Sequence, residues 1–206
     1  MVKILAEHEA KKLLLKYGIP TTKFEEIRNE ESIHNLKLSY PVVLKVSSPK
    51  ILHKTDVGGI VLNINSKEKL LKEYEKLHQK FPDEIFIVEE MEKQGIEMIA
   101  GIINDEAFGK CIMVGMGGIF TEIYKDVAFR MLPIKKEDAE DMLNDLKVSK
   151  IFHGYRVKID KEALIDILLK IAKIANELPV KQLDLNPIFL YEKGAKIIDA
   201  KIIMEE

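Results

Sequence analysis

The stretch Pro41–Ile60, PVVLKVSSPKILHKTDVGGI, constrains this chain most because it sets a charge inside an apolar strand. Lys45 lies within the strand predicted at 42–46, and an unpaired buried charge is expensive, so its ammonium must meet an anion or reach water. The loop that follows offers donors, a titratable base and bare backbone: His53, Lys54, Thr55, Asp56, Gly58 and Gly59. These groups suit a phosphate-binding loop. A hairpin with polar turn residues and a lysine that reaches solvent explains the stretch as well.

Composition excludes several classes of protein. The 206 residues, 47% hydrophobic and 32% charged, predict a soluble globular protein of one domain or two small ones. The formal charge of −2, with Lys and Glu mixed throughout, gives no basic surface for nucleic acid. No apolar run approaches the roughly 18 residues of a membrane span, and the N-terminus becomes charged too soon for a signal peptide. The single cysteine, Cys111, has no internal disulfide partner. We therefore expect a cytoplasmic protein.

Helical and strand-like segments alternate, which predicts a mixed α/β (α+β) fold. Helices are predicted at 3–17, 30–38, 66–79, 136–147 and 160–178. Strands are predicted at 23–27, 42–46, 59–64, 85–91, 97–103, 110–114, 119–131, 182–190 and 196–203. Gly18 is a C-terminal stop, and Ser66 and Asp160 are N-caps. The pattern becomes strand-rich after a turn at 81–83, which predicts two domains, 1–88 and 89–206.

The two last predicted strands carry a second group of polar residues. Asp184 and Asn186 are two apart on one strand, so their side chains face the same way. Asp199 lies in the following strand, opposite them if a turn at 192–194 closes the hairpin. Carboxylate and amide oxygens are the hard ligands that suit Mg²⁺. Asx turns and a satisfied buried polar pair are the alternative explanation.

Other polar residues give weaker signals. The glycines at 115, 117 and 118 indicate either a bulge or a phosphate contact. Residues on one face of the strand predicted at 119–131 line a cleft or form the polar side of an edge strand: Glu122, Asp126 and Arg130. Three histidines on charge-rich helical segments are predicted to be solvated: His8, His34 and His78. Three carboxylates at or after the end of the apolar run 85–88 are by default surface groups: Glu89, Glu90 and Glu97.

Together these motifs resemble the ATP-grasp domain of ADP-forming acyl-CoA synthetases, specifically the separate β subunit of ADP-forming acetate–CoA ligases. The matching segments are EHEAKKLLLKYGIP, YPVVLKVSSPKILHKTDVGGI, IVEEM, GIEMIAGIINDEAFGKCIMVGMGGIFTEIYKDVAFRMLPI, LDLNPI and IIDAKI. They cover nearly the whole chain, and a more distant similarity is to the β subunit of succinyl-CoA synthetase. The resemblance implies an ATP-grasp fold, in which two α/β subdomains clasp Mg-ATP between them.

The resemblance also implies roles for the residues of the first stretch. His53 is implied to be the catalytic residue, which lies near the nucleotide and passes on a phosphoryl group. The residues implied to hold the ATP or ADP phosphates are Lys45, Lys54, Thr55, Gly58 and Gly59.

Further roles follow from the resemblance for the second half of the chain. Glu89 and the backbone near Met91 are implied to form the hinge that meets adenine, with Glu97 towards the ribose. The residues implied to bind Mg²⁺ are Asp184, Asn186 and Asp199.

The implied reaction is acyl-CoA + ADP + Pi ⇌ carboxylate + CoA + ATP, through acyl phosphate and phosphohistidine intermediates. No G-x-G-x-x-G motif follows a strand, so we expect the CoA site and a second phosphohistidine on a partner α subunit, in a heterotetramer. Two alternatives remain at this stage: a stand-alone ATP-grasp ligase that joins a carboxylate to an amine, and a nucleotide-binding regulatory module without turnover.

Overall fold

A computed structural model describes residues 2–51, 53–118 and 126–205 and confirms the mixed α/β fold. The helices of the described residues are α1 (Glu7–Lys16), α2 (Glu30–His34), α3 (Lys67–Lys80), α4 (Lys136–Asp145) and α5 (Lys161–Glu177), with a 3-10 helix at Ser149–His153. Their strands are β1 (Val2–Ile4), β2 (Phe24–Ile27), β3 (Val42–Ser47), β4 (Ile60–Ile64), β5 (Ile85–Glu90), β6 (Ile96–Asp105), β7 (Gly109–Met116), β8 (Val127–Met131), β9 (Val180–Leu190), β10 (Ala195–Ile197) and β11 (Ala200–Glu205).

The described chain divides into two compact units. The small unit comprises residues 5–9 and 22–93, and the large unit comprises 2–4, 10–21 and the described part of 94–205. The first helix contributes residues to both units, because its first turn is assigned to the small unit and the rest to the large one. The sequence-based division into 1–88 and 89–206 stays a prediction.

The small unit is built on an antiparallel sheet of order β2-β5-β3-β4. All six residues of β3 are buried, and alternate ones, Val42, Leu44 and Val46, pack in a core with Leu70 and Tyr74 of α3. Since successive strand side chains point to opposite faces, Val43, Lys45 and Ser47 lie on the face away from this core. The predicted strand therefore forms, and its lysine is buried on the second face of the sheet.

The large unit contains, among the described residues, an antiparallel sheet of order β1-β11-β9-β6-β7-β8, with β10 also paired to β9. The first strand pairs with the last, with Val2 opposite Glu205. The helix predicted from residue 3 was wrong at its start: residues 2–4 form a strand because β11 pairs with them, and α1 begins only at Glu7. Local periodicity cannot reveal a partner at the other end of the chain.

The predicted helix ends are confirmed at three positions. Gly18 adopts a left-handed φ of 71° just after α1, and the Ser66 side chain accepts a hydrogen bond from the amide of Lys69 at the start of α3. Asp160 caps α5. The helix α2 is shorter than predicted, and the strand predicted at 196–203 is divided into β10 and β11. Of the strand predicted at 119–131, residues 119–125 lie outside the described residues.

In the part of the chain that the structure describes, the helices lack the length and apolar character needed to cross a membrane.

Asp160 joins the start of α5 to the turn between β9 and β10. One carboxylate oxygen accepts from the amide of Ala163 at 3.0 Å, and the other accepts from the amide of Gly194 at 2.8 Å. The amide of Asp160 itself donates to the carbonyl of Tyr191 at 2.7 Å. This aspartate is therefore both a helix cap and an anchor for the turn.

Replacement of Asp160 by Ala should lower the free energy of unfolding by about 2 kcal/mol, because the cap and the bond to Gly194 are both lost. Ser66→Ala is the matched control, since Ser66 caps α3 without a bond to a distant turn. We expect this control to cost about 1 kcal/mol. Urea unfolding of both variants measures the difference, and an equal or smaller loss for the aspartate variant would show that the anchor contributes nothing.

Candidate functional site

The small unit contains a buried group of four charged side chains, here called the ionic cluster: Glu7, Lys45, Lys54 and Glu89. The ammonium of Lys45 lies 2.9 Å from Oε1 of Glu7 and 2.9 Å from Oε2 of Glu89. The ammonium of Lys54 lies 2.8 Å from the other carboxylate oxygen of Glu7, Oε2. The four residues are 4%, 4%, 9% and 1% exposed in this order. Two positive charges and two negative charges thus compensate one another away from solvent.

Four separate segments build the ionic cluster. Lys45 lies on the face of β3 away from the α3 core, as does Val43 two residues before it. On the neighbouring strand β5, Glu89 lies opposite Val43, so Glu89 and Lys45 share this face. The first turn of α1 supplies Glu7, and the loop after β3 supplies Lys54. The anion that the sequence required for Lys45 is therefore a pair of carboxylates in the protein itself.

The first turn of α1 is fixed to the end of β3. The backbone amide of His8 donates to Oγ of Ser47 at 3.1 Å, and Nδ1 of the same histidine lies 2.9 Å from that oxygen. His8 is only 8% exposed, so the prediction that it is solvated was wrong. The face of α1 that carries His8 packs against the protein, which the charged sequence of the helix conceals. The other two helical histidines, His34 and His78, are exposed as predicted.

The loop after β3 folds back onto that strand through its two glycines. Gly58 adopts a left-handed φ of 60°, and a Cβ on Gly59 would lie 2.5 Å from Cγ1 of Val46. The amide of Gly58 donates to the carbonyl of Thr55, and the amide of Gly59 donates to the carbonyl of Lys54 at 2.7 Å. The glycines therefore shape the loop with their amides engaged inside it, and this brings Lys54 to Glu7.

The remaining predicted nucleotide residues of the small unit differ in exposure. His53 and Thr55 are exposed on the loop, while the neighbouring Lys54 is buried. Met91 is half-buried, and its amide donates to the carbonyl of Pro41 at 2.9 Å, so a ligand there would meet other backbone groups. The carboxylate of Glu89 is not a surface group, because it is bound to Lys45.

In the large unit, the predicted metal ligands lie on and beside β9, which forms a hairpin with β10 and β11. The turn at 192–194 closes as predicted, with the amide of Tyr191 donating to the carbonyl of Gly194. The amide of Asn186 donates to the carbonyl of Asp199 at 3.2 Å, and Asp184 lies opposite Lys201. Asp199 is therefore opposite the Asp184–Asn186 segment, as the sequence predicted.

The two carboxylates of this hairpin interact electrostatically. Burial raises the pKa of Asp184 above its ordinary value of 3.8, the charge of Asp199 raises it further, and the charge of Lys201 lowers it in part. Repelling carboxylates that are partly removed from water form a favourable place for a divalent cation. Among the described residues there is no group of three or more His, Cys, Asp or Glu side chains arranged to hold a metal. The predicted ligand set of two carboxylates and the Asn186 side chain thus stays a prediction.

Glu97, also in the large unit, lies against the glycine cluster at 115–118. Its carbonyl accepts from the amide of Gly117 at 2.7 Å, and Nε2 of Gln94 donates to its carboxylate at 3.2 Å. A Cβ on Gly117 would lie 3.0 Å from the backbone of Glu97, and one on Gly118 would lie 2.5 Å from its carboxylate. Close packing against Glu97 thus accounts for two of these glycines.

The residues predicted on the face of the 119–131 strand serve other purposes. Asp126 accepts from the amides of Lys147 and Val148 at 2.8 and 3.1 Å, and it is 5% exposed. Arg130 pairs with Asp145 at 2.6 Å. Both are structural contacts within the large unit, and Glu122 lies outside the described residues.

Comparison with known proteins places this chain in a family. The model of the ATP-grasp domain matches residues 2–204. The β subunit of acetate–CoA ligase (ADP-forming) I of Pyrococcus furiosus is 42% identical over 212 residues, which cover 97% of this chain and 91% of that protein. Acetate–CoA ligase (ADP-forming) II of Archaeoglobus fulgidus is 40% identical, and the match covers 98% of this chain but only 31% of that longer protein.

Solved structures agree with the sequence comparison. The dinucleotide-forming acetyl-coenzyme A synthetase 1 of Ca. Korarchaeum cryptofilum, in complex with coenzyme A and Mg-AMPPCP, is 39% identical to this chain with a TM-score of 0.86. The match covers 98% of this chain and 93% of that one. In that structure a phosphohistidine segment points towards the nucleotide binding site. The expected fold is confirmed, and the chain belongs to the ATP-grasp family.

Proposed function

We propose that this chain is the nucleotide-binding β subunit of an ADP-forming acetate–CoA ligase or a closely related acyl-CoA ligase. The proposed reaction is acyl-CoA + ADP + Pi ⇌ carboxylate + CoA + ATP. The observation that carries the proposal is the ionic cluster, which fixes two lysine ammoniums in a chain of the ATP-grasp family. Phosphoryl transfer depends mainly on positioned charge, and two fixed cations supply it.

In this proposal Lys45 and Lys54 bind the phosphates of ATP or ADP. Both ammoniums lie within 2.9 Å of Glu7, which holds them in one place before a nucleotide arrives. Thr55, the next residue after Lys54, offers an exposed hydroxyl in the loop. Gly58 and Gly59 contribute through the loop conformation, since their amides donate inside the loop.

We assign the phosphoryl acceptor to His53, which is exposed and adjacent in sequence to Lys54. A ring nitrogen of His53 attacks the γ-phosphorus of ATP, a nitrogen–phosphorus bond forms and the bond to the ADP oxygen breaks. The imidazole then releases one proton to water, so the products are ADP and phosphohistidine. Exposure of the side chain supports this role, because a carrier must deliver its phosphoryl group to a second site.

The Mg²⁺ that accompanies the nucleotide is assigned to Asp184, Asn186 and Asp199. The raised pKa of Asp184 and the repulsion from Asp199 support this assignment, because a cation relieves both. Bound there, Mg²⁺ would supply positive charge for the phosphate oxygens.

Adenine is assigned to the hinge at 89–91 and the ribose to Glu97. The Met91 amide is already bonded to Pro41, so we expect other backbone groups of the hinge to meet adenine. The carboxylate of Glu97 is half-buried and receives a hydrogen bond from Gln94, which fixes its orientation.

A second subunit is part of the proposal. The chain spans 91% of a relative named as a β subunit and 31% of a longer relative that is not named as a subunit. The sequence contains no G-x-G-x-x-G motif after a strand. We therefore place the CoA site and a second phosphohistidine on an α subunit, in a cytoplasmic heterotetramer, with the two domains of this chain at 1–88 and 89–206.

The isolated chain should bind Mg-ATP but should not form acyl-CoA. Calorimetric titration with Mg-ATP tests binding, and a thioester assay with acetate, CoA and ATP tests turnover with and without a candidate α subunit. Thioester formation by the isolated chain would contradict the division of the reaction between two subunits.

The His53→Ala variant should lose phosphorylation by γ-labelled ATP. Wild type with Mg²⁺, alone or with the α subunit, is expected to take up an acid-labile, base-stable label, as a phosphoramidate does. The matched control is His34→Ala, because His34 is an exposed histidine of the same unit. Equal labelling of the His53 variant, or nucleotide binding without label in any sample, would remove His53 from the relay.

Asp184→Asn should stabilise the chain in EDTA at pH 7 and abolish its stabilisation by Mg-ATP. Because folding raises the pKa of this carboxyl, its contribution to stability is complete below pH 4 and is lost as pH rises through the folded-state pKa. The variant should therefore show a smaller loss of thermal stability between about pH 4 and pH 7. Asp141→Asn, an exposed aspartate on α4, is the control. Lower stability of the Asp184 variant in EDTA would contradict the repulsion.

A further inference from the structure

We propose that Glu7 is a positioning residue for nucleotide phosphates, which acts by holding Lys45 and Lys54 at a fixed separation. The inference rests on the proposed function, because it needs these two lysines to contact the phosphates. Glu7 lies in the first turn of α1, a segment for which the sequence predicted no nucleotide-binding residue.

The geometry makes Glu7 the shared member of the ionic cluster. Its two carboxylate oxygens go to different lysines, Oε1 to Lys45 at 2.9 Å and Oε2 to Lys54 at 2.8 Å. Glu89 contacts Lys45 from a second side at 2.9 Å. One carboxylate therefore sets the position of one ammonium relative to the other, across a strand and a loop.

The backbone that carries Glu7 is itself held in place. The next residue, His8, is bound to Ser47 through both its amide and its ring, which ties the first turn of α1 to the end of β3. The carboxylate of Glu9 accepts from the amide of Ala6 at 2.8 Å, which closes this turn. Glu7 also lies at the positive end of the α1 dipole, where a carboxylate is favoured.

Two opposing effects follow from removal of the Glu7 charge. One negative charge fewer near the lysines would strengthen the attraction for a phosphate. However, Lys54 is only 9% exposed, and an ammonium without its carboxylate is costly at such burial, so its side chain should leave this position. Loss of position outweighs the gain in charge, because a displaced lysine no longer contacts the phosphate at all.

The test is calorimetric titration of Glu7→Gln with ATP, ADP and adenosine. A charge-assisted contact to phosphate predicts about a tenfold or larger loss of ATP and ADP affinity, with adenosine binding within about twofold of wild type. Glu75→Gln is the matched control, since Glu75 is an exposed glutamate of α3 in the same unit, and it should bind all three as wild type does. A merely structural role would weaken adenosine binding in parallel with ATP.

A double-mutant cycle with Lys54→Met identifies the route of the effect. Glu89 still holds Lys45 when Glu7 is replaced, so if Glu7 acts mainly through Lys54, the double variant should bind ATP about as weakly as Lys54→Met alone. The double variant should also unfold at a higher temperature than Glu7→Gln, because it lacks the buried ammonium that loses the Glu7 carboxylate. Additive losses in the cycle would overturn the proposal.

Further outcomes separate this inference from the proposed function. Unchanged or tighter ATP binding by Glu7→Gln, with normal binding by wild type, overturns only the role of Glu7. No ATP binding by wild type overturns both proposals. If Glu7→Gln does not fold, Glu7→Asp replaces it: the shorter carboxylate keeps the charge but does not span both lysines, so ATP affinity should fall while adenosine affinity is retained.

Discussion

Compensation of buried charge inside the small unit is the interaction on which the proposed site depends. Four ionised side chains, each less than a tenth exposed, are stable there only as a set. Removal of one partner from a buried ion pair typically costs about 3–5 kcal/mol, whereas apolar residues of similar size could fill the same space without that risk. The ionic cluster is therefore better explained by the need for two fixed ammoniums than by stability alone.

Ordinary features of the sheet and its connections produce the ionic cluster. The alternation of β3 sends Val42, Leu44 and Val46 into the α3 core and Lys45 to the other face. The glycine pair lets the following loop return to β3, which brings Lys54 close. The strand β3 and the loop after it thus bring two ammoniums to one carboxylate, that of Glu7.

The large unit differs electrostatically from the small unit, because it brings two negative charges close together. The β9 hairpin places Asp199 near Asp184, and burial together with this repulsion raises the pKa of Asp184. In the small unit opposite charges compensate one another within the protein, whereas in this hairpin two carboxylates repel each other and the charge of Lys201 offsets that repulsion in part. The fixed ammoniums of the small unit and the repelling carboxylates of the large unit are the groups on which the proposed binding of Mg-nucleotide rests.

The sequence by itself determined most helices and strands, the caps at Ser66 and Asp160, the hairpin with Asp199, and the need of Lys45 for an anion. These are local properties, since periodicity, capping and turn chemistry act over a few residues. Only the tertiary structure decided which anion meets Lys45, because Glu7 is 38 residues away and lies in a helix whose charged pattern does not reveal its buried face. For the same reason the pairing of β1 with β11 and the burial of His8 were not predictable. Such contacts follow from how distant segments pack, and no local pattern records them.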